Sequence, residues 1–136
     1  MSAAATNGFA DQLTVGQLGE QTAQAVRALN HLTRPGAGAL AYPGEVCELV
    51  AALACMARRL PQLLGQLGGW LVSEDRAGRL RLDTCSPTPD PAEAVAAVIG
   101  ELAQASQCAH AAGRALDAAH QHLAHVAAAG DQRERP

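Results

Sequence analysis

The apolar residues of this chain recur at alternating intervals of three and four positions, and the C-terminal third holds an uninterrupted run of this kind. The run consists of Val95, Val98, Leu102, Ala105, Ala109, Ala112, Leu116, Ala119, Leu123 and Val126. This spacing puts the residues on one stripe of a helix, which is typical of coiled-coil-like packing between long helices. Asp90, Pro91 and Glu93 form a strong helix start, so the pattern predicts a helix that runs to about Ala129.

A second run with the same spacing predicts another long helix, which begins at Pro43 and ends near Gly78. Its seam consists of Val46, Leu49, Leu53, Met56, Leu60, Leu63, Leu67 and Trp70. Pro61 lies inside the run, where a proline removes a backbone hydrogen bond. Because the apolar spacing continues past it, we expect the helix to bend at Pro61 or to split there into two rods.

A shorter periodic segment precedes both runs. Thr14 and Gln17 have the spacing of a capping box at a helix start. The periodicity ends near Arg34, since Pro35 disfavours a helical conformation in the residue before it.

These segments predict an all-α fold, an elongated antiparallel bundle of three long helices, or of four if the second is split at Pro61. We expect one bundle domain over residues 14–129, with flexible tails at 1–13 and 130–136.

Composition excludes several functions. The chain has no lysine, so neither a phosphate-binding loop with its lysine nor Schiff-base chemistry is available. A net charge of -3, three aromatic residues and arginines interleaved with acids argue against a nucleic-acid partner. The weakly charged runs are too short to cross a membrane. The N-terminal residues lack the pattern of a secretory signal, so we expect a cytoplasmic protein.

The histidines of the third helix are the candidate metal ligands. Asp117 and His120 have the carboxylate–histidine spacing of di-iron bundles, but such sites need two pairs and further glutamates in the core. The four cysteines lack the C-x-x-C spacing of zinc or redox sites. No nucleophile has a recognisable base beside it. We therefore expect no catalytic residue, no cofactor and no metal.

One segment carries a family resemblance. The residues from Pro43 to Val46 and from Arg59 to Leu64 resemble a pattern of uncharacterised small Ala-rich helical proteins of high-GC Gram-positive bacteria. The resemblance covers about a quarter of the chain and implies a folded helical protein without an assigned activity.

The second helix has more apolar surface than its predicted neighbours can cover. A parallel apolar row lies one position along from its seam, and the first helix is short and poor in large side chains. We therefore expect a non-enzymatic interaction or regulatory module that forms a homo-oligomer or binds a partner helix. The expected contact residues are Val50, Leu64, Leu67, Trp70 and Leu71. The alternative is a bundle that binds a small apolar ligand or a metal ion inside.

Overall fold

The computed structural model describes residues 12–129, and within that range it contains three α-helices and no strand. They are α1 (Val15–Leu32), α2 (Pro43–Arg76) and α3 (Pro91–Leu123), with 18, 34 and 33 residues. The predicted all-α class is confirmed. The chain divides after Tyr42 into two compact units, of which the first contains α1 and the second contains α2 and α3. The predicted tails lie outside the described residues, apart from positions 12 and 13.

Two helix starts follow the chemistry expected from the sequence. At α1, the backbone N–H of Gln17 donates to the Thr14 hydroxyl at 3.2 Å, and the Thr14 N–H donates to the Gln17 side chain at 2.9 Å. At α3, the Asp90 carboxylate accepts the N–H of Ala92 at 3.0 Å, and Pro91 occupies the first helical position. Each cap satisfies backbone donors that have no partner inside the helix.

The helix ends agree with expectation for α2 and differ for α3. Beyond Arg76 the chain turns at Gly78, whose φ of +67° is the left-handed conformation that favours glycine. The prediction that α3 reaches Ala129 is wrong, because the helix ends at Leu123. The next N–H groups, of His125 and Val126, bond to carbonyls three residues back and form tight turns. Val126 is 53% exposed, so no apolar contact favours a further turn of helix.

Helix α2 is continuous through Pro61, so the expected number of three helices is found among the described residues and the alternative, a split into two rods, does not occur. A proline at this position deprives the carbonyl of Ala57 of its helical donor. The helix persists because Ala57 and Gly68, on either side of Pro61, are buried against α3.

Helices α2 and α3 pack along each other as an antiparallel hairpin. The Cα of Gly113, late in α3, lies near Ala57 in the first half of α2, whereas Gly68, later in α2, lies near Ile99 and Leu102 early in α3. The residues buried in this contact are small, apart from one valine. They are Ala54, Ala57, Gly68, Val95, Ala109 and Gly113.

The predicted seams are only partly correct. On α3, Val95, Leu102 and Ala109 belong to the buried or half-buried row as expected. Between these residues, the contact uses positions one residue later than predicted, namely Ile99, Ser106 and Gly113. The predicted residues Val98, Ala105 and Ala112 are exposed. On α2, four residues of the expected seam are exposed, namely Met56, Leu63, Leu67 and Trp70. The reason is that two helices approach most closely where both present small side chains, so alanine and glycine occupy the line of contact.

Candidate functional site

Between Met56 and Trp70, helix α2 exposes large apolar side chains on the side away from its contact with α3. Met56, Leu63, Leu67 and Trp70 are 37%, 49%, 44% and 60% exposed. Their spacing of seven, four and three residues places all four on one side of the helix. We call these four residues the outer stripe. An aligned group of exposed leucine, methionine and tryptophan is typical of a surface that another helix covers.

The five residues predicted as an interface fall into two groups. Leu67 and Trp70 belong to the outer stripe. Val50, Leu64 and Leu71 are half-buried on or beside the row that includes Ala54, Ala57 and Gly68. Met56 and Leu63 also belong to the outer stripe, although the sequence pattern placed them only in the internal seam. The signal that could have identified the buried side of α2 is its row of small residues, which includes Ala54, Ala57 and Gly68 and allows the close approach of α3.

A groove of about 330 Å³ lies between α2 and α3 on a different side of α2. Apart from one hydroxyl group, its side chains are apolar or absent. The lining residues are Pro61, Leu64, Gly65, Gly68, Gly69, Val72, Ile99, Leu102, Ala103 and Ser106. The groove is therefore suited to an apolar group, with the Ser106 hydroxyl as the single polar contact from a side chain.

The three glycines of α2 in this groove differ in their surroundings. A Cβ at Gly68 would lie 2.7 Å from Cδ1 of Ile99, so packing inside the hairpin explains this glycine. A Cβ at Gly65 or Gly69 would meet no atom within 4 Å. Glycine in a helix interior is about 1 kcal/mol less favourable than alanine, so these two positions weaken α2 and leave the groove wide.

An ion pair joins the two helices of the hairpin. The guanidinium of Arg58 on α2 donates to the carboxylate of Asp117 on α3. This hydrogen bond and the charge of Asp117 raise the pKa of Arg58. Asp117, a candidate metal ligand by its spacing from His120, is half-buried and forms this contact between the helices.

A second ion pair lies at the C-terminal end of α2. The guanidinium of Arg79 donates two hydrogen bonds to the Glu74 carboxylate, at 2.7 and 2.6 Å. These bonds lower the pKa of Glu74. The Glu74 side chain is 18% exposed and that of Arg79 is 60% exposed, so the arginine forms the outer member of the pair. Arg79, one of the arginines that the sequence interleaves with acids, is therefore paired with a neighbouring acid.

The histidines and cysteines of residues 12–129 are dispersed and form no cluster. His120 is half-buried, and His110, His122 and His125 are exposed. Across residues 12–129, no three His, Cys, Asp or Glu side chains lie close enough to share a metal ion. The four cysteines are free thiols. None of the three described helices is apolar enough over a sufficient length to cross a bilayer.

Comparison with known proteins adds no family to this description. The chain matches no protein-family model, no curated protein and no solved structure. The outer stripe and the groove are thus the two features from which a function is inferred.

Proposed function

We propose that the protein is a non-enzymatic helical interaction module that acts through self-association or a partner helix, with the outer stripe of α2 as its contact surface. The observation that carries this proposal is the exposure of Trp70 and Leu63 beside Met56 and Leu67 on one line. Buried tryptophan and neighbouring large side chains commonly dominate the energy of protein interfaces. A straight line of such residues on a helix is suited to a second helix that lies along it.

The thin core of the hairpin supports the same proposal. Its buried apolar residues among those described are Ala54, Ala57, Val95 and Ala109, and no large side chain is completely buried. Alanines bury little apolar area, so the contact between α2 and α3 contributes modest hydrophobic stabilisation for its length. A further helix on the outer stripe would bury the leucines and the tryptophan and add the stabilisation that the hairpin lacks.

We further propose that the module acts in the cytoplasm on a protein partner. Free thiols are the ordinary state of cysteine in that compartment, and all four cysteines are unpaired. The arginines at 58 and 79 are occupied by Asp117 and Glu74, which supports a protein rather than a nucleic acid as the partner.

The test of the proposed surface is the double variant Leu63→Glu/Leu67→Glu. Two carboxylates on the outer stripe would have to be desolvated in any contact there, so we expect the variant to remain helical and lose its partner. The measurement is the mass in solution by light scattering, with helix content by circular dichroism. The matched control is Gln62→Glu/Gln66→Glu, which adds the same charges with the same spacing at exposed neighbouring positions.

The control variant should keep the mass of the parent. If the stripe variant also kept it, or kept its binding to a protein partner recovered with the parent, the outer stripe would not be the contact surface.

The groove supports a second candidate function, the binding of a small apolar ligand between α2 and α3. Its volume of about 330 Å³ and its wall of Gly65 and Gly69 favour this alternative. Such a ligand would place hydrocarbon against Leu64 and Leu102 and a polar end near Ser106.

The ligand candidate predicts that Gly65→Leu fills the groove and weakens the binding of an apolar fluorescent probe, 1-anilinonaphthalene-8-sulfonate, at least several-fold. The control is Gly100→Leu on α3, where the added side chain also meets open space but lies outside the groove. Equal probe fluorescence in the two variants would reject the groove as a binding site.

A further inference from the structure

We propose that the preferred partner on the outer stripe is a helix of another protein that carries an acidic side chain beside its own apolar seam. This inference rests on the proposed function and specifies the chemistry of the partner. It is carried by the position of Arg59 at the edge of the stripe and by the positions of the acidic residues of α2.

Arg59 lies at the edge of the outer stripe that faces away from α3. It follows Met56 by three residues and precedes Leu63 by four, so the three are neighbours on one side of the helix. Leu60, at the opposite edge of the stripe, is half-buried, whereas Arg59 is exposed. When two helices pack with this spacing, the charges at such an edge lie against the partner and determine which partner is accepted.

The guanidinium of Arg59 has a different environment from two other arginines in this part of the chain. Arg58 is bonded to Asp117, and Arg79 is bonded to Glu74. Among residues 12–129, no carboxylate lies within ion-pair distance of Arg59. A helix on the stripe would remove part of the water around this charge, which is unfavourable while the charge is unpaired. A carboxylate on that helix would replace the lost water with an ion pair.

The acids at the start of α2 cannot supply this carboxylate from a second copy while the two stripes are in contact. In an antiparallel pair, Glu45 or Glu48 would face Arg59 only if the contact were centred between residues 52 and 54. Leu67 and Trp70 would then lie opposite residues 34–40, which precede the first residue of α2. The ion pair and the apolar contact therefore exclude each other.

The acids at the end of α2 are also unsuited to this role. Glu74 is already bonded to Arg79, and Asp75 is half-buried. In a parallel pair in register, Arg59 of each copy would lie at the same level along the axis, which brings like charges together. Self-association through the stripe thus leaves Arg59 without a carboxylate, and we expect an acidic helix to displace it.

The test uses two synthetic helical peptides without tryptophan that share one leucine seam with alternating intervals of three and four residues. The positions beside the leucines are glutamate in one peptide and arginine in the other. Binding to the full chain is followed by the emission of Trp70 at low ionic strength, where surface charges are weakly screened. We expect the parent to bind the acidic peptide about two- to thirty-fold more tightly, since one exposed ion pair replaces one repulsion.

The variants assign this preference to one side chain. Arg59→Glu should reverse the preference, and Arg59→Gln should reduce it. Arg114→Glu makes the same charge reversal at an exposed position of α3 and should keep the preference of the parent. Because all of these side chains are exposed, circular dichroism should show the helix content of the parent in each variant.

The other outcomes separate this inference from the proposed function. Equal binding of the two peptides, or a preference that Arg59→Glu leaves unchanged, would overturn the inference. If Leu63→Glu/Leu67→Glu abolished such equal binding, the outer stripe would still be the contact surface, with a partner of different chemistry. Oligomers of the parent that the acidic peptide does not displace would make a second copy the partner and the inference wrong. A parent that stays monomeric and binds neither peptide would contradict the proposed function as well.

Discussion

The variant Ala57→Asp is expected to unfold the hairpin of α2 and α3 under conditions in which the parent is folded. Ala57 is 4% exposed, and its Cβ lies 3.8 Å from the position that a Cβ on Gly113 would occupy. A carboxylate at position 57 would be desolvated without gaining a partner that replaces its water. The expected loss is about 3–5 kcal/mol, a large part of the total stability of a small domain.

The matched control for this variant is Ala52→Asp. It introduces the same side chain on the same helix, at an exposed position outside the contact with α3. We expect the control to unfold within about 1 kcal/mol of the parent in urea, followed by circular dichroism. Both variants and the parent should be compared at one protein concentration, because association contributes to apparent stability. Similar losses in the two variants would contradict the position of Ala57 in the hairpin contact.

Two substitutions at Gly113 are expected to change stability in opposite directions. A Cβ there would lie 3.5 Å from Cγ of Arg58, an ordinary van der Waals distance, so Gly113→Ala fits. It also removes the conformational freedom of glycine and should stabilise α3 by about 0.5–1 kcal/mol. Gly113→Leu adds atoms that meet Ala57 and the backbone nitrogen of Arg58, which lies 3.9 Å from that Cβ position. We expect this overpacking to cost about 1–3 kcal/mol.

Gly100 provides the control for both changes. It lies on the same helix, and a Cβ there meets no atom within 4 Å. Alanine and leucine at position 100 should therefore both raise the midpoint of urea unfolding, since only helix propensity changes. If leucine were also tolerated at position 113, the close approach of α2 and α3 at this point would be wrong.

The caps at the helix ends could be predicted from the sequence, because each depends on only a few adjacent residues. The capping box of Thr14 and Gln17, the cap of Asp90 and the glycine turn at Gly78 occur where the sequence predicts them. Each uses a side chain and a backbone group three or fewer residues apart, or the conformational freedom of one glycine. No distant part of the chain is needed to specify them.

The face of α2 that meets α3 could not be predicted by hydrophobicity alone. Two parallel rows of apolar residues occur on this helix, and the larger side chains favour the row that contains Met56 and Leu63. The hairpin instead uses the row that contains Ala57 and Gly68, because the closest approach requires small side chains on both helices. The outcome depends on Gly113 and Ala109 of α3, which are distant in sequence. The large side chains of the other row therefore remain exposed and form the outer stripe.

The ion pair between Arg58 and Asp117 illustrates the same limit. Taken alone, the sequence around each residue predicts a solvated charge on a helix surface. Their separation of 59 positions becomes a contact only when the register of the two helices is known. That register is set by packing rather than by either charge.

The most direct test of the central claim, that the outer stripe is covered in the working assembly, uses the fluorescence of Trp70. The chain contains one tryptophan, so its emission reports on this position without ambiguity. We predict that, as protein concentration rises through the range of self-association, the emission shifts to shorter wavelength and acrylamide quenching decreases, while Leu63→Glu/Leu67→Glu keeps the emission of exposed tryptophan. An increase in mass with unchanged emission and quenching of Trp70 would contradict the claim.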